Sequence, residues 1–475
     1  MSLAKFLRRK RSGTVAAILV MLTAVPLSSF AQDTLPAAQQ ARIDAIARQV
    51  LTDTGVPSAS VGIVTDGKIA YLKAYGMAKL NPPVKATPQM RYSIGSVSKQ
   101  FTVAAILLLQ QQGKLTLDDT VSRWLPNLTR ANQVTLREIL SHTSGYQDYY
   151  AEDYSLPPMK DPTTPDAILD NWGKKPLDFD PGTEWQYSNT NYVIAGKIVE
   201  MVSGMPLMEF LQRNIFTPLH MTRVMDSDQH PLPQTDPDGY IRYALGPLRI
   251  APRDGAGWVF AGGELAMPVR DLLLWDISLM NESLLQPASY RQMLTSVKLK
   301  NGQDTHYGLG EEISTRDGHL VVSHSGEVSG FTSENMVLPQ DKVAIAVLTN
   351  EEATDASGVI AGKIASVLVK LPADESQRSQ KEARQIFIGL QHGKIDRSLF
   401  TANCNAYFDK QALGDFESSL RPLGTPIEFR QTHKELRGGM IFRAYDVVFP
   451  TADLAVTTYQ MPNGKIEQFI VTPGE

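Results

Sequence analysis

The tetrapeptide Ser96-Val97-Ser98-Lys99 places a hydroxyl and an amine three residues apart at the start of an apolar segment. If this segment is helical, the spacing brings both side chains to one face of the helix. Burial would lower the pKa of the amine, so that Lys99 could take the proton of the Ser96 hydroxyl. Free N–H groups at the helix start could stabilise an oxyanion. The pattern alone is weak, because Ser2-Leu3-Ala4-Lys5 also matches it and a capping serine beside a surface lysine is common.

Two further motifs carry polar groups suited to the same chemistry. Tyr187-Ser188-Asn189 is the only Tyr-x-Asn in the chain. A phenol near a lysine can pass a proton, and an amide can orient both the lysine and a substrate. His324-Ser325-Gly326 follows a predicted strand, where a glycine lets backbone N–H groups approach a ligand closely. Taken singly, each motif also fits a structural role, as a helix cap or as a turn at a strand end.

Together, and in this order, the three motifs resemble those of the serine β-lactamase and penicillin-binding-protein superfamily. The similarity is closest to its class C-like branch of β-lactamases, DD-peptidases, D-aminopeptidases and esterases. Residues 94–102 and 140–145 also resemble recurrent segments of that family, and the resemblance covers about residues 38–370. It implies an α+β fold of the β-lactamase/transpeptidase type, with an antiparallel sheet flanked by helices and a helical subdomain.

The resemblance implies a role for each catalytic residue. Ser96 would be the nucleophile that forms an acyl-enzyme, and Lys99 would be the base for acylation. Tyr187 would pass a proton to the leaving group and activate the deacylating water. Asn189 would bind the substrate amide or orient Lys99. No metal or organic cofactor is implied.

The resemblance also implies an oxyanion hole formed by the backbone N–H groups of Ser96 and Glu327, with His324, Ser325 and Gly326 beside the substrate. Well-known β-lactamases of this branch have lysine where His324 stands, as a permanent cation for the substrate carboxylate. Histidine is mostly neutral at pH 7, which favours a peptidase, amidase or esterase. If His324 anchors a carboxylate, affinity for acidic substrates should improve at lower pH. The alternative is a neutral His324 that only donates and accepts hydrogen bonds.

Composition limits the class of partner. The chain has 475 residues, of which 43% are hydrophobic and 20% charged, enough apolar material for a large core. A formal charge of −4 argues against nucleic acid as the main partner. Cys404 is the single cysteine, so an internal disulfide is excluded. We expect a small-molecule or peptide substrate, with peptidoglycan fragments as candidates; the oligomeric state is left open.

The first 31 residues are typical of an export signal. A basic start precedes an apolar run over 14–27, which is too short to span a bilayer, and Ser29-Phe30-Ala31 resembles a cleavage site. The alternative is an uncleaved anchor. No later stretch is long and apolar enough for a membrane helix. The sequence therefore predicts a bacterial periplasmic or secreted protein.

Hydrophobic patterning predicts the elements that position these motifs. Helices are expected over 37–54, 96–112 and 189–202, and a β-hairpin over 59–72. A hydrolase domain at 38–370 is followed by a polar linker at 371–381 and a small α+β domain at 382–475. This last domain loosely resembles the nuclear-transport-factor-2 fold, which would suit ligand binding or dimerisation.

Two functions are compatible with this sequence. The first is an exported serine hydrolase that forms an acyl-enzyme through Ser96 and acts on peptide or amide, ester or β-lactam bonds. The second is a catalytically silent protein that binds cell-wall peptides or penicillins. All three motifs are intact, whereas a silent binder would be free to lose them, so the sequence favours the enzyme.

Overall fold

The computed structural model describes residues 35–150, 155, 157–243, 246–316, 319–369, 375–437 and 440–474. The predicted export signal, residues 1–31, lies outside the described residues. The α-helices are α1 Ala37–Thr54, α2 Lys99–Gln111, α3 Leu136–Leu140, α4 Pro165–Ile168, α5 Asn189–Ser203, α6 Leu207–Leu211, α7 Val269–Asn281, α8 Pro287–Met293, α9 Ala356–Leu368, α10 Glu375–Gln391, α11 Ala402–Tyr407 and α12 Lys410–Leu420.

The strands are β1 Ser58–Thr65, β2 Lys68–Leu80, β3 Pro83–Lys85, β4 Tyr92–Ser93, β5 Met225–Asp226, β6 Tyr240–Ile241, β7 Arg249–Ile250, β8 Leu265–Met267, β9 Glu312–Arg316, β10 His319–Val328, β11 Phe331–Leu338, β12 Val343–Thr349, β13 Glu428–Arg437, β14 Met440–Val448, β15 Asp453–Gln460 and β16 Ile466–Pro473. Within the described residues, seven strands form the main sheet in the order β3-β2-β1-β12-β11-β10-β9. Neighbouring strands in it run antiparallel.

Helices cover both faces of this sheet, as the α+β prediction requires. Helices α1 and α9 pack against each other, and α9 also lies on β11 and β12. Helix α1 buries Ile43, Ala47 and Val50 at spacings of four and three, which is one helical stripe. Helix α7 packs on β1 and β12, and α2, α3, α5 and α6 contact one another in a separate helical layer. The β-lactamase/transpeptidase type of fold is therefore confirmed.

The turn that carries Ser96 differs from the prediction in one respect. Residues Gly95–Ser98 form a 3₁₀ turn, and the α-helix begins only at Lys99. The reason is the left-handed backbone of Gly95 (φ 51°), which a residue with a side chain rarely adopts. This tight entry leaves Ser96 at the helix start, where unpaired N–H groups are found.

The C-terminal residues form a second unit with its own core. Strands β13 to β16 pair antiparallel in chain order, and α10 packs on β13 and on α12. The apolar cluster of this unit contains only residues between 383 and 471. No helix within the described ranges has the length and hydrophobicity needed to cross a bilayer.

The predicted linker at 371–381 is partly helical, because α10 begins at Glu375. Residues 375–381 are polar but are mostly good helix formers. They continue into a helix that buries Ala383, Phe387 and Leu390 at helical spacing. The remaining linker residues 371–374 lie outside the described residues. The domain boundaries at 370 and 382 stay predictions.

We expect residues 1–372 to fold without the C-terminal unit, because the two apolar clusters of the preceding part contain no residue beyond 369. A truncated protein should show one cooperative thermal transition by circular dichroism and should keep its activity towards a small ester. The full chain is the control. Insolubility or complete loss of esterase activity would show instead that the C-terminal unit covers apolar surface of the larger one.

Candidate active site

The nucleophile turn lies directly against strand β10. A Cβ atom on Gly95 would lie 2.6 Å from the backbone nitrogen of Glu327, and one on Gly326 would lie 2.0 Å from the carbonyl oxygen of Ile94. Neither position has room for a side chain. The two glycines therefore hold the Glu327 backbone next to the Ser96 turn, where the resemblance to the family implies the oxyanion hole.

The Lys99 amine is fully buried beside Ser96. Its Nζ lies 2.9 Å from Ser96 Oγ, 2.8 Å from Asn189 Oδ1 and 3.1 Å from the carbonyl oxygen of Gly262. The Asn189 and Gly262 oxygens can only accept hydrogen bonds. A neutral amine has two hydrogens, which these oxygens take, and one lone pair. Its lone pair is then left for the Ser96 hydroxyl proton. Lys99 is thus arranged as a base.

Burial lowers the pKa of Lys99 to about 7, against the opposing attraction of Asp148 and Glu264. Near pH 7 the amine is therefore neutral in a large fraction of molecules. Two aromatic rings also flank it, with Nζ 4.8 Å from the centre of the Tyr187 ring and 5.2 Å from that of Tyr192. These faces accommodate the ammonium after it has accepted a proton.

Tyr187 stands on the other side of the nucleophile. Its hydroxyl donates to Ser96 Oγ over 2.8 Å. Burial raises the pKa of Tyr187, so the phenol keeps its proton in the resting site. Ser96 Oγ accordingly accepts from a phenol and can donate to an amine. This geometry suits a proton shuttle better than a tyrosinate base.

The Asn189 amide is held in one orientation. Its Nδ2 donates to Asp148 Oδ2 and to the carbonyl oxygen of Tyr150, each over 3.2 Å, and its backbone N–H donates to Asp148 Oδ1 over 2.8 Å. Only Oδ1 is then available for Lys99. Of the two roles predicted for Asn189, the geometry supports the orientation of Lys99. Asp148 was not predicted, because nothing in a loop rich in Asp and Tyr marks one carboxylate.

These groups open into a cavity of about 500 Å³. Six of the predicted site residues line this cavity: Ser96, Tyr187, Asn189, His324, Ser325 and Glu327. Lys99 lies beneath, bonded to Ser96, and Gly326 packs against the Ile94 backbone. The structure therefore brings residues from three distant motifs into one pocket. Glu312 and Glu352 also line it and were not predicted.

The family model described as Beta-lactamase matches residues 43–368. The chain belongs to this family. The expected membership of the serine β-lactamase and penicillin-binding-protein superfamily is thereby confirmed. This beta-lactamase family includes serine hydrolases such as amidases.

Individual relatives extend this finding. The chain is 30% identical over 321 residues to Protein flp of Staphylococcus aureus (strain COL), covering 66% of this chain and 63% of flp. It thus spans less than two thirds of that relative. The octameric penicillin-binding protein homologue from Pyrococcus abyssi has a similar fold (TM-score 0.63, 21% identity, 92% of this chain and 96% of that chain). The D-stereospecific amidohydrolase from Streptomyces sp. gives a TM-score of 0.57 at 26% identity, over 66% and 96%.

Within this beta-lactamase family member, His324 does not supply a positive charge. Its Nε2 lies 2.9 Å from the Tyr307 hydroxyl, and its Nδ1 is hydrogen-bonded to the carbonyl oxygen of Ser325. A neutral ring satisfies both contacts, since one nitrogen donates and the other accepts. Burial and the nearby Lys99 lower the pKa of His324 to about 3. The expectation of a carboxylate-anchoring cation conflicts with this environment, which supports the neutral alternative.

His142 supports the Tyr187 segment from behind. Its backbone is left-handed (φ 59°), and its Nδ1 accepts from the Ser188 backbone N–H over 3.1 Å. The ring lies 4.3 Å from the centre of the Tyr187 ring. Burial lowers the pKa of His142 well below its usual value, so the ring remains neutral. We interpret His142 as a positioning residue for the phenol. From the sequence alone, His142 is marked only by its place in residues 140–145, which resemble a recurrent segment of the family.

The pH dependence of the reaction should report Lys99 and not His324. We expect kcat/KM for a neutral ester to rise with pH through about 7, as Lys99 loses its proton. His324→Asn should leave the midpoint of this rise unchanged, and a carboxylate-bearing ester should follow the same profile. A midpoint that moves in the variant, or profiles that diverge between the two esters from pH 6 to 8, would contradict a neutral His324.

Removal of the His142 ring should misplace Tyr187. We expect His142→Ala to lower kcat by roughly 10- to 100-fold, since small displacements of catalytic groups have such costs, with little change in KM. His142→Asn should retain more activity, because its amide oxygen can accept from the Ser188 N–H. Circular dichroism checks that both variants fold. Equal losses in the two variants, or a change confined to KM, would argue against positioning.

Proposed function

We propose that this chain is an exported serine hydrolase that forms an acyl-enzyme through Ser96 and hydrolyses amide, peptide or ester bonds. The observation that carries the proposal is the position of Ser96 Oγ, 2.9 Å from Lys99 Nζ and 2.8 Å from the Tyr187 hydroxyl. A nucleophile held between a base and a proton donor has what acyl transfer requires.

The reaction follows from these contacts. Lys99 accepts the Ser96 proton as Oγ bonds to the acyl carbon, and the carbonyl oxygen becomes an oxyanion beside the Ser96 and Glu327 backbone. As the bond to the leaving group breaks, Tyr187 donates a proton to it and recovers one from the Lys99 ammonium. Water then attacks the acyl-enzyme, giving a proton to the same pair of side chains, and Ser96 leaves with its proton restored.

The surroundings favour amides and esters over β-lactams that carry a carboxylate. His324 is neutral, and Lys99 already contacts three partners. A substrate carboxylate would therefore meet no fixed cation there. The similar Streptomyces protein is a D-stereospecific amidohydrolase, which supports an amide as the bond cleaved. We assign the reaction to residues 38–370 and an accessory role to 382–475.

The predicted signal at 1–31 supports action in the periplasm or outside the cell. Soluble fragments of peptidoglycan are substrates of fitting chemistry there, since they carry amide bonds between small amino acids. The alternative function, a silent binder of peptides or penicillins, needs none of the hydrogen bonds around Lys99. Their completeness favours turnover.

Ser96→Ala should abolish hydrolysis of amides and esters without unfolding the protein. Loss of such a nucleophile typically costs about 10⁶ in kcat. Peptide mapping after reaction with a fluorophosphonate should find the adduct on Ser96 in the wild type and none in the variant.

Ser144 serves as an internal control for this mapping, because its hydroxyl is buried and donates to Asn191 Oδ1 over 2.6 Å. An adduct on Ser144 would overturn the assignment of the nucleophile. A wild-type protein that forms no adduct and turns over no ester, yet binds a labelled penicillin, would establish the silent alternative.

A further inference from the structure

His324 lines the catalytic pocket on the side of Tyr187. The centres of the two rings lie 6.3 Å apart. In the proposed reaction Tyr187 protonates the leaving group, so His324 stands beside the group that departs. The atoms that His324 presents to the pocket therefore bear on which leaving groups fit.

The hydrogen bonds of His324 determine which of its nitrogens carries the hydrogen. Nδ1 is bonded to the carbonyl oxygen of Ser325, which can only accept, so the hydrogen is on Nδ1. Because the ring is neutral, Nε2 has no hydrogen and must accept. Its partner is the Tyr307 hydroxyl, 2.9 Å away, which is therefore the donor. Both nitrogens are engaged by the protein, and ring carbon is left to face a substrate.

Tyr307 can give its hydrogen to His324 because the neighbouring Tyr192 does not require it. Tyr192 is itself a donor, since its hydroxyl lies 3.0 Å from the carbonyl oxygen of Leu140. It also hydrogen-bonds to Tyr307. A phenol oxygen can accept as well as donate, so Tyr307 can accept from Tyr192 while it donates to His324.

The segment that begins at Tyr307 is held tightly in place. The Tyr307 side chain is buried. A Cβ atom on Gly308 would lie 2.2 Å from the carbonyl oxygen of Met293. Gly310 has a left-handed backbone (φ 73°), and a Cβ atom there would lie 2.8 Å from Val103 Cγ2 on α2. The phenol is thus a fixed donor rather than a mobile side chain.

The groups packed around His324 keep the ring neutral. Burial and, after it, Lys99 at the start of α2 lower its pKa to about 3. His142, just after α3, and Tyr187 are neutral themselves. Glu312 on the neighbouring strand β9 lines the same pocket, but the effects of burial and Lys99 prevail.

This side of the pocket offers little to an anionic leaving group. The chain neighbours Gln186 and Ser325 line it with uncharged polar groups, and Glu312 is an acid. Lys99 lies beneath Ser96 and is not part of the lining. Among the described residues, His324 is the one lining residue that belongs to a basic type, and it is neutral.

We propose that Tyr307 positions His324 in this tautomer and that the pocket consequently selects leaving groups without a carboxylate. This inference rests on the proposed function and specifies its substrate class, amides and esters with a neutral leaving group. A carboxylate next to ring carbon and Glu312 would lose hydration without gaining a partner. A carboxamide at the same position loses less, and its N–H groups can donate to Glu312.

The position of the hydrogen is measured by NMR on protein labelled with ¹⁵N-histidine. In the wild type, His324 should carry a hydrogen on Nδ1 and none on Nε2 at every pH from 6 to 8. The His324→Asn spectrum identifies the signals by their loss. In Tyr307→Phe the Nε2 signal should move, because its donor is gone. A wild-type hydrogen on Nε2, or a Tyr307→Phe spectrum equal to that of the wild type, would contradict the assignment. The wild-type spectrum tests it even if the variant fails to fold.

Substrate selection is measured with two esters that differ only in the leaving group. They are the acetates of 3-hydroxybenzamide and of 3-hydroxybenzoic acid, compared at pH 7. We expect kcat/KM to be roughly 10- to 100-fold higher for the benzamide ester, since burying an unpaired charge costs at least as much as burying an unpaired polar group. Equal values for the two esters in the wild type would overturn the proposal.

Tyr307→Phe should reduce this preference at least about threefold, mainly through a lower KM for the benzoate ester, because the released ring can turn Nε2 towards the carboxylate. In the His324→Asn background the same substitution should have no further effect on the preference, since Tyr307 acts through His324. Tyr445→Phe is the matched control: this buried tyrosine on β14 is hydrogen-bonded within the C-terminal unit, and its loss should preserve the preference. Equal losses for both esters in Tyr307→Phe, or additive effects in the double variant, would show a merely structural role.

Failure of this inference differs visibly from failure of the proposed function. If Ser96 reacts with a fluorophosphonate and the protein hydrolyses both esters equally well, the hydrolase stands and the selection by Tyr307 and His324 falls. If Ser96 forms no adduct and neither ester is cleaved, the proposed function itself is wrong.

Discussion

Lys99 can act as a base only while its amine is kept from water, and much of the surrounding structure has that effect. Helix α2 carries it into the core, while the Gly262 carbonyl and the Asn189 amide take its two hydrogens. Asp148 fixes that amide in turn. Desolvation of Lys99 costs free energy in folding. It also brings the pKa of the amine close to the working pH, where the amine can act as a base.

The parts that could be predicted from the sequence are those coded by short local patterns. Helix α5 and the hairpin of β1 and β2 follow from hydrophobic periodicity, and the three motifs identify the residues that meet around Ser96. The polar stretch before residue 382 is predicted to be a linker because it lacks apolar residues, although most of its residues are good helix formers. The apolar positions that indicate helix α10, such as Phe387, come later in the chain, whereas the helix itself begins at Glu375.

Features that arise from tertiary burial were not predictable in the same way. The charge of His324 depends on Tyr307 and on enclosure by distant segments, so its residue type alone leaves both the charged and the neutral alternative open. Asp148 carries no local signal, because its importance comes from its hydrogen bonds to Asn189 in the folded chain. A single sequence thus locates the reacting groups better than it describes their electrostatics.

The absence of side chains at Gly95 and Gly326 has a consequence for how this protein can diverge. Any substitution there would drive β10 away from the nucleophile turn, so these two positions tolerate almost no variation. Other residues of the pocket wall stand on separate segments, such as Glu312 on β9 and Glu352 after β12. Substitutions that alter the pocket wall can therefore accumulate on those segments while the contact between β10 and the nucleophile turn stays unchanged.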